Sequence, residues 1–251
     1  MQAVLSLLLV SPCSDGGGSS SQAVIAESLA QTARLQSDRE KDPLRKPDKV
    51  LAFFEIKPGM RVLDLFSGSG YYTEILSGVV GPDGSVVAHN NTAYLDYVAE
   101  ELNQRFGDNH LRNVERLTAE TYELDLPAQS FDAAFAILTW HDFYVVDEDN
   151  GWPAIDVPAL TAKLCEALKP GAVLGVIDHV ANQGAGPHES AEKLHRIDPK
   201  RIRADLESTC FVYEGELNAL RNSADDHDLP MSDPSVRGKT DQVMFRFRKK
   251  P

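Results

Sequence analysis

Val62-Leu63-Asp64-Leu65-Phe66-Ser67-Gly68-Ser69-Gly70-Tyr71-Tyr72-Thr73 runs from an apolar, strand-like segment through two closely spaced glycines into a helix-prone one. Gly68 and Gly70 leave no Cβ where backbone must come close to a ligand, and the helix behind them offers unpaired N–H groups that suit a carboxylate. Dinucleotide-binding loops share this strand–glycine–helix layout, but Phe66 stands where their first glycine belongs. A nucleoside-triphosphate loop is excluded, because no Gly-Lys-Ser/Thr follows.

Working outward, strand-like runs over 61–65, 85–88, 114–117, 131–138 and 172–177 alternate with helical patterns over 71–79, 93–106 and 157–168. That alternation predicts a parallel sheet with helices on both faces. Further strand-like runs over 211–217 and 242–248 bring the expected number to seven. A helix is expected over 23–36, followed by a polar segment broken by Pro43 and Pro47, so that residues 23–59 form a helical cap on one domain spanning 23–251. The acidic connection over 145–157, with Trp152 inside it, is long enough to close over a ligand.

The residues around the loop resemble class I S-adenosylmethionine-dependent methyltransferases, with Asp64 to Gly70 similar to their first motif. A group of exported bacterial methyltransferases is matched further by Arg45-Lys46-Pro47, His141-Asp142, Asp178-His179, Leu194-His195-Arg196 and Arg237-Gly238-Lys239-Thr240-Asp241. The resemblance covers about residues 39–247. It implies a Rossmann-like fold with a seven-stranded, mostly parallel sheet, S-adenosylmethionine as cofactor, and methyl transfer to an O, N or S nucleophile. It also implies cofactor-binding roles for Asp64, Ser67, Gly68, Gly70, Glu120 and Thr139. The acid that usually closes strand two and takes the ribose hydroxyls is replaced by His89-Asn90-Asn91, so Asn90 or Asn91 is expected to bond the ribose without charge.

Ligands of open parallel sheets lie beyond the carboxyl ends of the strands. Strand four ends in Thr139-Trp140-His141-Asp142 and strand five in Asp178-His179, which sends His141 and His179 toward one crevice, with His195 nearby. A lone histidine is more often structural, but two at adjacent strand ends suit proton transfer. His141 is the expected base, Asp142 orients it, and His179 is next in line. A metal-dependent O-methyltransferase is the alternative, with Asp142, Asp178 and a histidine holding a divalent cation, although the usual Asp-Asn pair after strand five is absent. A ligand-binding protein that keeps the fold without transferring methyl is the other.

Charge narrows the acceptor. Twenty-five basic against 38 acidic side chains give a net charge of −13, which argues against nucleic acid as the main partner and leaves a small molecule or an exposed group as the expected acceptor. Residues 1–22 resemble a lipoprotein signal and linker, with an apolar run before Cys13, although no basic residue precedes the run and Pro12 replaces a small one. A periplasmic or membrane-tethered protein is expected, with a cytoplasmic one as the alternative. Cys165 and Cys210 show no disulfide framework by spacing and are expected as buried small hydrophobes.

Overall fold

The computed structural model describes residues 21–107 and 110–251. Cys13 and the rest of the expected signal segment up to residue 20 lie outside the described residues. Among the described residues no helix is long and apolar enough to cross a membrane.

Seven strands form one sheet in the order β3-β2-β1-β4-β5-β7-β6. They are β1 (Arg61–Leu65), β2 (Ser85–Asn90), β3 (Val114–Thr118), β4 (Phe131–Ile137), β5 (Leu168–His179), β6 (Phe211–Glu216) and β7 (Gln242–Lys249). All neighbours pair in parallel except β7, which runs antiparallel to both β5 and β6. The chain reverses outward from β1 in both directions, so the switch point falls between β1 and β4.

The central strands β1 and β4 are apolar on both faces. Leu63 and Leu65 of β1 and Ala134 and Ala136 of β4 join one core with Leu160 and Leu164 of α7 (Val157–Ala167) and Ile202 of α9 (Pro199–Glu207). Their alternates, Val62, Ala133 and Phe135, join a second core on the opposite face with α1 (Ser21–Leu29), α4 (Pro47–Phe53) and α5 (Tyr71–Val80). Helix α6 (Thr92–Phe106) links β2 to β3, and α8 (Pro187–Leu194) follows β5.

The helix expected over 23–36 is shorter, ending at Leu29. The segment expected to be broken by proline instead folds into α2 (Gln36–Arg39), α3 (Asp42–Arg45) and α4. Pro43 and Pro47 sit in the first turns of α3 and α4, where a missing N–H does no harm, so they start helices rather than stop them.

The cysteine expectation is corrected. Cys165 of α7 and Cys210, just before β6, form a disulfide across 45 residues, tying the edge strand to the helix layer. Spacing could not reveal it, because the tertiary fold alone brings the two together.

Candidate functional site

The loop after β1 is held from beneath by the end of β2. His89 O accepts from Ser67 N at 2.8 Å, and His89 Nδ1 faces Phe66 N at 3.4 Å. His89 Nε2 meets Ala119 O at 2.9 Å; a carbonyl can only accept, so the proton sits on Nε2 and Nδ1 is the acceptor. Burial lowers the His89 pKa to about 4, which keeps this neutral tautomer in place. Asn90 clamps Gly68 from both sides of its peptide, accepting from Gly68 N at 2.9 Å and donating to Gly68 O at 3.0 Å.

Phe66, Gly68 and Gly70 all adopt positive φ, at 52°, 57° and 84°. A Cβ on Gly70 would lie 2.9 Å from Arg105 Cδ, so this glycine is required by packing as well as by φ. Arg105, fully buried, donates to Ser69 O at 2.7 Å and pairs with Glu74 and Asp38, which ties loop, α5 and cap together. At Gly68 the neighbourhood is different: a Cβ would meet only Tyr94 Cε1, at 4.0 Å. The space above Gly68 is open.

That space is a cleft lined by Asp64, Ser67, Gly68 and Thr139 of the expected set, together with Tyr94 and Arg45. Asp64 is buried and accepts from Thr73 Oγ1 at 2.6 Å; burial raises its pKa to about 6 against that hydrogen bond. Thr139 Oγ1 is buried with no hydrogen-bond partner among the described residues. A buried hydroxyl without a partner is unfavourable, and a polar ligand in the cleft would satisfy it. An open glycine and an orphaned hydroxyl, at the ends of β1 and β4, fit the amino-acid and ribose groups of S-adenosylmethionine. Arg45 stacks its guanidinium 4.3 Å from the Tyr71 ring centre and has no carboxylate partner among the described residues, which suits the cofactor's carboxylate.

Asn91, Asn90 and Glu120 are engaged elsewhere. Asn91 caps α6 by accepting from Tyr94 N at 3.0 Å, and Glu120 accepts from Thr92 N at 3.1 Å. Both Asn90 contacts go to Gly68, so a ribose bond from Asn90 would have to share atoms with these structural bonds, whereas Asn91 uses only its Oδ1 in the cap.

The histidine cluster lies beside this cleft. Leu138 takes a positive φ of 60° at the end of β4 and turns the chain into a short 3-10 helix, His141–Tyr144. Asp178, fully buried at the end of β5, accepts from His141 N at 2.8 Å and from His141 Nδ1 at 2.7 Å. The other ring nitrogen, Nε2, lies 3.1 Å from Asp142 Oδ1, and Tyr94 donates a short hydrogen bond to Asp142 Oδ2. The His179 and His195 rings lie 5.9 Å and 5.5 Å from that of His141, so all three histidines converge. Trp152 reaches in from the 145–157 connection and packs against Tyr94 at 5.1 Å.

This geometry revises the roles expected for the cluster. Burial would lower the His141 pKa, but Asp142 and Asp178 more than offset it and raise it well above the usual histidine range. The two flanking carboxylates favour the charged imidazole, which weighs against a proton-accepting role for His141. Asp178 holds the ring at Nδ1 and Asp142 faces Nε2. Asp142 is held below the usual carboxylate range: burial opposes this, and the facing His141 charge outweighs burial. His179 is neutral, its pKa lowered to about 3 by burial, with Nδ1 2.6 Å from Thr240 Oγ1.

His141, Asp142 and His195 offer three ligand atoms within 4.8 Å of one another, so a divalent cation could bridge them. Asp178, the other acid of the expected metal set, is outside this group and is engaged by His141 and the His179 N–H. The ion pair of His141 with Asp142 already satisfies Nε2, and metal binding would require that nitrogen to lose its proton.

Sequence reasoning missed His89, Tyr94 and Thr240. His89 was legible only as part of an Asn-rich turn, and Tyr94 lies on a helix face that no pattern marks as facing the site.

The family model described as protein-L-isoaspartate(D-aspartate) O-methyltransferase matches residues 46–121, from α4 to just past β3. A protein-L-isoaspartate O-methyltransferase from Triticum aestivum is 33% identical over 116 residues, covering 46% of this chain and 44% of that relative. A 2-phytyl-1,4-naphtoquinone methyltransferase from Synechococcus elongatus is 30% identical over 122 residues, covering 49% and 47%. The chain thus spans a little under half the length of the curated relatives it matches. An S-adenosylmethionine-dependent methyltransferase structure from Aquifex aeolicus superposes with a TM-score of 0.55 at 23% identity, over 83% of this chain and 98% of that one. The fold is the Rossmann-like fold of class I methyltransferases.

Proposed function

We propose that this chain is an S-adenosylmethionine-dependent methyltransferase acting on a small-molecule acceptor. The observation that carries the reading is the cleft at the switch point, where Gly68 is open to ligand and Thr139 Oγ1 awaits a partner. The two curated relatives support methyl transfer while differing in acceptor by name, one protein-directed and one a quinone. The family match ends at residue 121, before β4, so the strand ends that face the acceptor lie beyond it.

S-adenosylmethionine, when bound, supplies a methyl on a sulfonium; the acceptor's lone pair forms the new bond and the C–S electrons return to sulfur. Around it Gly68, Thr139 and Arg45 place the cofactor, Tyr94 and Trp152 exclude water, and the Asp178–His141–Asp142 cluster fixes the charge beside the acceptor. Neither His141 nor His179 is poised to take a proton near neutrality. Placement therefore supplies much of the rate, and the acceptor is nucleophilic without a protein base, as a thiolate is.

Export belongs to the same proposal. The Cys165–Cys210 disulfide suits an oxidising compartment such as the periplasm. A membrane tether through Cys13 predicts that Cys13→Ser releases the full-length protein from the membrane fraction. The activity itself is tested by screening acceptors, thiols first, for release of S-adenosylhomocysteine. Release that depends on acceptor supports the reading, and tight cofactor binding with no turnover across O, N and S acceptors would favour ligand capture on the same fold.

A further inference from the structure

Apart from the cofactor cleft, the described residues form a second, larger one of about 330 Å³ between the cap and the segment leading into β7. Leu44 of α3, 53% exposed, contributes most of its apolar surface, beside the edge of the largely buried Leu220. The Gly238 turn closes the far side: a Cβ there would sit 3.5 Å from Leu44 Cδ1. Lys46, Arg221 and Lys239 line the cleft, and no acidic residue does. In a chain of net charge −13, that is a local reversal of sign.

The three cations are not equivalent. Arg221 is neutralised by Asp241 through bonds of 2.8 and 2.9 Å. Lys46 donates to Ala219 O at 2.6 Å and keeps its charge. Lys239 is exposed, and its ammonium has no partner among the described residues. The cleft therefore combines apolar surface with two uncompensated ammonium groups.

Its position connects it to the chemistry. Thr240 lines the cleft and is the residue whose Oγ1 meets His179 Nδ1. Gln242, also on its wall, pairs in register with His179 across β5 and β7. Lys46 is the neighbour of Arg45, which lines the cofactor cleft. The two clefts share no lining residue and come nearest in sequence at the Arg45–Lys46 step.

We propose that this cleft is a second ligand site, for an amphipathic anion with an apolar body carrying a carboxylate, sulfonate or phosphate. The ligand class follows from the cleft alone and goes beyond the methyltransferase reading. Leu44 and Leu220 take the apolar body, while Lys239 and Lys46 take the charge.

The test uses two dyes with one ring skeleton on the full chain: 8-anilinonaphthalene-1-sulfonate, an anion, and N-phenyl-1-naphthylamine, its uncharged parent. Wild-type protein should bind the sulfonate at one site and more tightly than the amine. Lys239→Glu should weaken the sulfonate by roughly fivefold to tenfold, because it replaces attraction by repulsion at a partly solvated site, and leave the amine within twofold. Leu44→Ser should weaken both dyes. S-adenosylhomocysteine should displace neither dye, and both variants should bind it as the wild type does. No sulfonate binding, binding indifferent to both substitutions, or displacement by S-adenosylhomocysteine overturns the proposal. If S-adenosylhomocysteine fails to bind wild-type protein at all, the methyltransferase reading falls, and the dye series still decides the cleft.

Discussion

Uncharged groups of the β2 end hold the loop after β1, whereas charged side chains hold the cluster after β4 and β5. In the first region the neutral His89 ring and the Asn90 amide grip the main chain of Phe66 and Gly68, and His89 O accepts from Ser67 N. In the second, the His141 ring sits between two buried carboxylates. A loop held by uncharged groups is tolerant of substitutions that leave φ alone. A buried ion cluster is sensitive to both pH and the loss of a single member, because each charge left behind is uncompensated. The two halves should therefore fail separately and in different ways.

The largest separation should come from the disulfide, which belongs only to the acceptor half. Replacing Cys165 and Cys210 together by serine opens a 45-residue loop and should reduce stability by about 4 kcal/mol on the chain-entropy account. Tm should fall on the order of 10 °C, while cofactor affinity measured well below that Tm stays within a few-fold of wild type. A variant as stable as wild type would show that the bridge does not constrain the chain.

Gly68→Val strikes the other half. The φ of 57° strains a β-branched residue, by roughly 1–3 kcal/mol, but the open space beside it lets the fold survive. Affinity for S-adenosylhomocysteine should fall at least about 100-fold, near 2.7 kcal/mol. Normal affinity in this variant would remove the loop from the cofactor site.

Titration separates His141 from the other two buried histidines by sign. The His141 pKa is raised on folding, so its stabilisation is full below about pH 6.5, the unfolded value, and is lost as pH rises toward the folded value. His179 and His89 are lowered to about 3 and about 4, so the unfolded chain binds their protons first and stability falls as pH drops below about 6.5. Tm should therefore peak near pH 6.5. His141→Gln should flatten the alkaline side, worth at most about 1.4 kcal/mol per pH unit, and keep the acid side. A variant whose alkaline slope matches wild type would mean that His141 is not the buried cation.

The smallest expected effect is that of chelation. With Nε2 of His141 paired to Asp142, EDTA should change neither Tm nor turnover. A fall restored by a divalent cation would replace the ion cluster by a metal bridge among His141, Asp142 and His195.

The same contrast governs what the sequence disclosed. Alternating apolar strands, the Gly68-Ser69-Gly70 loop and the strand ends carrying His141, Asp178 and His179 are local patterns, and all seven strands overlap the runs expected for them. Strand β5 nevertheless begins at Leu168, four residues early, and passes through Pro170-Gly171, the pair expected to separate helix from strand. The cluster's convergence was legible too, because parallel strands end on one side. Its protonation was not. That depends on Asp178 reaching back 37 residues to both nitrogens of one residue, backbone and ring. The disulfide and the Tyr94 bond to Asp142 are likewise products of packing, with 45 and 48 residues between partners. The prolines misled for the opposite reason: their local effect depends on whether a helix starts or continues at them.

Calorimetry of wild-type protein with S-adenosylhomocysteine tests the central claim most directly, since it needs no acceptor and no assumption about proton transfer. The cleft over Gly68 and Thr139 predicts saturable binding of one equivalent, abolished by Gly68→Val and indifferent to EDTA. No binding up to millimolar ligand, or unchanged binding in the Gly68→Val variant, would contradict it.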